Sequence, residues 1–196
     1  RGLLRAAAEA ALKGRRLADR ARTLAALLLA LPLFAWAGGD GERRAGDVLS
    51  YVLPAATLGA ELWRGDRRGA WQFAESFAVT VTATEVLQRT TGIERPDHSN
   101  DRSFPSGHAA RAFAAATYVH RRYGFDSAWP LYALATYVGY TRVQADRHRW
   151  ADVAGAAGVA AASSWWLVER KRDEPQAALM LAPHGALLLT WSVPLR

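Results

Sequence analysis

Apolar residues recur at helical spacing along most of this chain, and one long polar segment interrupts them. Val48, Leu49, Val52, Leu53, Ala56, Leu58 and Leu62 fall near a 3.6-residue period over 47–64. Trp71, Phe73, Phe77, Val79 and Val86 carry the pattern over 69–90, and Gly65-Asp66 separates the two runs. Residues 91–105 are rich in Gly, Pro, Asp, Asn and Ser and read as a loop. A helix is predicted from near Ser106 to about Tyr123, then a break at Gly124-Phe125-Asp126, then helices over 128–143 and 151–168. This order predicts an all-α helical bundle. Gly155 and Gly158, set among alanines, predict close helix–helix approach, because small side chains let backbones come together. After Glu169-Arg170-Lys171-Arg172 the pattern changes. Two apolar stretches, 177–182 and 186–193, flank Pro183-His184-Gly185, which predicts a C-terminal β-hairpin.

The chain's 196 residues suit one domain with a sizeable core. It divides into a leading segment over 1–37, a helical domain over 38–174 and the hairpin over 175–196, packed on the domain. There is no cysteine, so neither disulfides nor thiolate chemistry arise. The net charge of +7 suggests a basic protein, but residues 1–37 carry seven Lys/Arg against Glu9 and Asp19, a net of +5, which leaves +2 for the rest. Nucleic-acid binding needs a basic stripe on the folded body, and this body has none.

The leading segment reads as a targeting sequence. A basic stretch ends at Arg22, an apolar run follows from Leu24 to Ala37, and Ala35-Trp36-Ala37 has the small-x-small form of a cleavage site. An uncleaved anchor or a core helix would share that composition. The signal reading predicts an exported protein, in the bacterial periplasm or at the outer face of the inner membrane. Within the helical body the longest uncharged stretch, 153–168, is 16 residues, short of the roughly 20 that span a bilayer. The body is therefore expected to be a compact bundle, with peripheral membrane contact left open.

Three short clusters carry the chemistry: Arg95-Pro96, Pro105-Ser106-Gly107-His108, and Thr141-Arg142 followed by His148 and Asp152. Arg95 and Arg142 offer planar forks for phosphate oxygens. Pro96 favours extended backbone at Arg95. Ser106 and Gly107 sit where a helix opens, and there free N–H groups and the dipole favour an anion. His148 and Asp152 are four residues apart, so both can lie on one helix face. A carboxylate bonded to Nδ1–H would leave Nε2 free to attack phosphorus. His108 is then the acid for the leaving group and the base for the incoming water. Each cluster alone has an ordinary structural reading as a cap, a turn or a surface pair. Their combination and order favour catalysis. His98, His120 and His184 lack such company, and His120 reads as a solvated helix end. No zinc pattern is present, so no metal site is predicted.

The clusters resemble those of the type 2 phosphatidic acid phosphatases, which share a fold and site with bacterial class A acid phosphatases and vanadium-dependent haloperoxidases. That family's pattern is Lys-x6-Arg-Pro, Pro-Ser-Gly-His and Ser-Arg-x5-His-x3-Asp. Here the second is intact, Thr141 replaces the serine of the third, and Gln88 stands at the lysine position of the first. The resemblance covers residues 85–168 most strongly. It implies a bundle of the acid phosphatase/vanadium haloperoxidase type. The implied function is a metal-independent phosphatase that cleaves a phosphomonoester or diphosphate, of a lipid or a small ester, through a phosphohistidine intermediate. Its catalytic residues are His148, His108 and Asp152. Its phosphate-binding residues are Arg95, Arg142, Ser106, Gly107 and Gln88. It implies no cofactor, with vanadate as an inhibitor. Gln88 can donate hydrogen bonds but carries no charge. Two alternatives share the pocket chemistry: a haloperoxidase with vanadate as cofactor, and a non-catalytic module that binds phosphorylated lipid. The leaving group and the oligomeric state are not read from the sequence.

Overall fold

The computed structural model describes residues 40–171 and, as backbone, 176–181 and 187–192. Five helices make up the body: α1 (Asp40–Trp63), α2 (Arg67–Thr91), α3 (Gly107–Tyr123), α4 (Phe125–Gln144) and α5 (Trp150–Leu167). The described body is all-helical, as the apolar period predicts. The targeting segment expected over 1–37 lies outside the described residues.

Helix α3 is the axis of the bundle and packs against all four others. Its sequence explains why. Ala109, Ala110, Ala112, Ala114, Ala115 and Ala116 are all buried, so α3 presents small side chains on nearly every face. Leu49 and Leu53 of α1, Val138 of α4 and Val153 and Ala156 of α5 fill the space around it. A core this rich in alanine buries little area per residue. Buried hydrogen bonds add to it, with Thr117 Oγ1 reaching both the Ala160 carbonyl (3.1 Å) and Ser164 Oγ (2.8 Å) on α5. Each such bond contributes about 1 kcal/mol net.

The connections place the helix ends. Residues 64–66 join α1 to α2, and Asp66 caps α2 by accepting from the Gly69 N–H at 2.8 Å. Gly124 alone separates α3 from α4, at φ 93°, which a residue with a Cβ rarely adopts. The break expected over 124–126 is therefore shorter than predicted: α4 begins at Phe125, and Asp126 lies in its first turn, where the dipole favours a carboxylate. The loops 92–106 and 145–149 lie at the opposite end of the bundle. All three sequence clusters sit at that end.

The glycine expectation needs correction. A Cβ at Gly155 would strike the Phe104 ring in the 92–106 loop rather than a neighbouring helix, and one at Gly158 would meet nothing within 4 Å. The C-terminal ribbon is described only as two antiparallel backbone segments, β1 (Gln176–Leu181) and β2 (Leu187–Ser192), with Leu179 opposite Leu189. Residues 182–186 and the side chains lie outside the described residues, so the hairpin and its packing on the bundle stand as expectations.

Candidate active site

A cleft of about 210 Å³ opens at the loop end of the bundle, lined by Arg43, Asp47, Arg95, His108, Arg142, Arg147 and His148. Four guanidinium groups and two imidazoles thus face one carboxylate. Such a cleft attracts an anion.

His148 enters from the 145–149 loop, just before α5, and is 3% exposed. Its Nδ1 lies 2.8 Å from the Ser103 carbonyl oxygen. A carbonyl only accepts, so Nδ1 carries the proton and the neutral ring has its lone pair on Nε2. Burial, followed by the positive charge of Arg95, lowers the pKa of His148 and favours that neutral form. Here the structure corrects the sequence reading. Asp152 Oδ2 stands 3.6 Å from Nδ1, too far for the hydrogen bond expected from the four-residue spacing. Asp152 instead accepts from Ser103 Oγ at 2.6 Å and from the Arg149 N–H at 2.8 Å, which ties the start of α5 to the preceding loop. Its own carbonyl accepts from the Ser106 N–H at 3.0 Å. Asp152 therefore holds the residue that holds His148.

His108 lies in the first turn of α3, and its Nε2 is 3.0 Å from Asp47 Oδ1. Burial, then the charges of Arg111 and Arg142, push its pKa down to about 4 in the empty cleft. Ser106 precedes it as the N-cap of α3 but makes no capping bond. Among the described residues its hydroxyl is buried without a partner, as is Nε of Arg95. Buried polar atoms are nearly always satisfied, so the orphaned donor of Arg95, which lines the cleft, suits a ligand's acceptor. Gly107 opens α3 beside them.

Arg142, at the end of α4, is almost fully buried. Its Nη1 donates to Asp47 Oδ1 at 2.6 Å, its Nη2 to the Arg43 carbonyl at 2.6 Å, and both Nε and Nη2 lie 3.2 Å from Thr141 Oγ1. Four of its five N–H groups face protein acceptors, and one Nη1 hydrogen is left for a ligand. Arg95 is held by its backbone, with its N–H on the Asn100 carbonyl at 2.9 Å. Burial and then Arg147 lower its pKa, the mark of a cation short of counter-charge.

Gln88 does not line the cleft. Its Nε2 donates to the Pro105 carbonyl at 2.6 Å and sits near Gly107, so it braces the loop that opens α3. Arg89 points away and pairs with Glu85 on the outer surface of α2. His120 is not a solvated helix end: its Nδ1 meets Tyr132 Oη at 3.1 Å, and Phe125 and Trp165 pack edge-on against its ring. Sequence reasoning missed Asp47, Arg43, Ser103 and Arg147. None belongs to a spaced motif. Among the described residues no cluster of His, Cys, Asp and Glu has the form of a metal site, and no helix is long and apolar enough to cross a membrane.

Comparison with known proteins agrees with this geometry. The family model of the PAP2 superfamily matches residues 69–174. The chain is similar to a lipid A 4'-phosphatase of Helicobacter pylori, 36% identical over 114 residues that cover 53% of this chain and 57% of that protein. It is also similar to a lipid A 1-phosphatase of Porphyromonas gingivalis, 43% identical over 71 residues that cover 35% of this chain and 16% of that protein. The chain thus spans less than two thirds of the length of either relative. No solved structure matches it.

Proposed function

The chain belongs to the PAP2 superfamily, and on that premise we propose that it is a phosphatase acting on a phosphorylated lipid through a phosphohistidine formed on His148. The observation that carries the reading is the state of His148. Its proton is tied to a backbone carbonyl, and its other nitrogen has no partner among the described residues, in a cleft lined by guanidinium groups. Nε2 attacks phosphorus while the bond to the leaving oxygen breaks, and His108 gives that oxygen a proton. Water then attacks the phosphohistidine, His108 takes a proton from it, and the P–N bond breaks to release inorganic phosphate. Arg95, Arg142, the Ser106 hydroxyl and the N–H groups at the start of α3 hold the equatorial oxygens.

The names of both relatives support a phosphorylated lipid as the substrate class. Export, with the cleft outside the cytoplasm, is proposed from residues 1–37. Peripheral lipid contact is proposed with it, because Trp150 is exposed at the start of α5, beside the cleft, and Trp63, Trp71, Trp129, Trp165 and Trp166 are exposed elsewhere on the bundle. Tryptophan suits the boundary between water and lipid.

The test is turnover of the purified protein on a panel of lipid and soluble phosphates, with ³²P trapping by alkaline quench. Base-stable, acid-labile label is expected on His148 and absent from His148→Ala. Vanadate should compete with substrate and EDTA should have little effect, because a cleft of cations holds an oxyanion better than a divalent cation. Full turnover in His148→Ala, or loss on chelation restored by a divalent cation, would overturn the mechanism.

A further inference from the structure

We propose that Asp47 is a positioning residue of the reaction, one carboxylate oxygen accepting from the Nη1 of Arg142 and standing as the counter-charge beside Nε2 of His108. The inference rests on the phosphatase reading of the cleft and extends it to α1, which lies outside the 69–174 stretch matched to the family.

The geometry is specific. Asp47 Oδ1 is 2.6 Å from Arg142 Nη1 and 3.0 Å from His108 Nε2. One atom therefore joins the arginine that faces the phosphate to the imidazole that faces the leaving group. The contact with Arg142 is a hydrogen bond, whereas that with His108 is a close ion-pair approach, so what Asp47 supplies to the imidazole is charge. The arrangement is also fixed. A Cβ at Gly46 would collide with Thr141 Oγ1 and come within 2.9 Å of Arg142 Nη2, so the first turns of α1 lie directly on the end of α4. Arg142 is bound to α1 at a second point, the Arg43 carbonyl. Ser50 Oγ donates to the carbonyl of Asp47 at 2.7 Å. Asp47 thus belongs to the frame of the site and is not a side chain that swings free.

The charge has a purpose. A neutral imidazole holds its N–H too tightly to protonate an alkoxide, whereas an imidazolium gives it up. The groups facing His108 are Arg111 from its own helix, Arg142 from α4, His148 from the loop before α5 and Asp47 from α1. The first three oppose the imidazolium, and Asp47 alone favours it. A bound phosphate adds further negative charge, and Asp47 keeps the ring aimed while that happens.

The experiment uses the full chain with Asp47→Asn and Asp47→Glu, an alkyl phosphate that needs a proton on departure, and p-nitrophenyl phosphate, which does not. In Asp47→Asn the ratio of kcat/KM on the alkyl ester to that on the aryl ester should fall by about 10–100-fold, a share of what general acids contribute; the ratio cancels effects common to both esters on phosphate binding through Arg142 and on the water step. Asp47→Glu should recover part of the loss. Histidine side-chain NMR supplies a readout that needs no turnover. The His108 midpoint should drop in Asp47→Asn. Equal losses on both esters or an unmoved His108 titration would overturn the proposal. An absence of turnover in the wild type would count against the phosphatase reading alone, and the NMR result would still decide the role of Asp47.

Discussion

The Ser103 carbonyl accepts the Nδ1 proton of His148 at 2.8 Å, closer than the carboxylate four residues along the chain. The orientation of the nucleophile is thus set by backbone, and the Asp152 carboxylate steadies that backbone through the Ser103 hydroxyl.

Asp152→Asn should therefore weaken the enzyme without silencing it. One oxygen remains to accept from Ser103 Oγ or the Arg149 N–H, but the negative charge that favours imidazolium on the attacked phosphohistidine is lost. A fall of about 10–100-fold in kcat is expected, against complete loss in His148→Ala. Ser103→Ala keeps both the carbonyl and the Asp152 charge and loses only the hydroxyl bond, a charge-assisted one worth about 1.5–3 kcal/mol, so its cost falls on stability and it should lose less activity than Asp152→Asn. Steady-state kinetics on the three variants check the order.

The pH dependence follows from two lowered pKa values. Catalysis needs His108 protonated and His148 neutral. In the free enzyme burial, with Arg111 and Arg142, puts His108 at about 4, so the active fraction falls about tenfold per unit as pH rises above that. Burial lowers the pKa of His148 as well, which extends its neutral form to the acid side of the ordinary 6.5. kcat/KM on an alkyl phosphate, corrected for the substrate's own ionisation, should therefore peak on the acid side and decline toward neutrality. Bound phosphate raises the proton affinity of His108, so the profile of kcat should lie at higher pH than that of kcat/KM. A flat kcat/KM between pH 5 and 8 would refute this assignment. Stability runs the other way. Between the folded value of about 4 and the ordinary 6.5, the unfolded chain binds more protons at His108, so stability should rise with pH across that window.

Gln88→Lys tests the missing charge. Gln88 already sits beside Gly107 with its amide on the Pro105 carbonyl, and a lysine there has the reach to add a cation behind the phosphate. A gain of about 3–30-fold in kcat/KM, roughly 0.7–2 kcal/mol, is expected. Arg89→Ala should be silent, because Arg89 is exposed and paired with Glu85 on the far face of α2. A collapse in Arg89→Ala with no gain in Gln88→Lys would reverse the assignment.

Gly46→Ala should push α1 off Thr141 and Arg142. Overpacking of this kind costs about 1–3 kcal/mol, and the displacement also moves Asp47 and the Arg43 carbonyl. A lower denaturation midpoint together with a higher KM is expected, whereas Gly158→Ala, with open space around it, should change neither.

The sequence by itself determined the elements and the chemical parts. Helical period, loop composition and the three clusters depend on neighbours within a few residues, so the five-helix order and the candidates Arg95, His108, Arg142 and His148, which meet in one cleft, were legible there. Even locally the reading had limits, since a four-residue spacing permits the His148–Asp152 bond without requiring it. Tertiary structure alone decided who touches whom across distance. Asp47 meets Arg142 from 95 residues away, and the Ser103 carbonyl meets His148 from 45. No pattern of residue types encodes those contacts, because any Asp in the first turns of α1 and any residue in the loop would satisfy the local rules. Packing chose them: Gly46 lets α1 close on α4, and the Ala-faced α3 draws the helix ends together, so that one carboxylate comes to 3.0 Å from His108 and one carbonyl accepts the Nδ1 proton of His148.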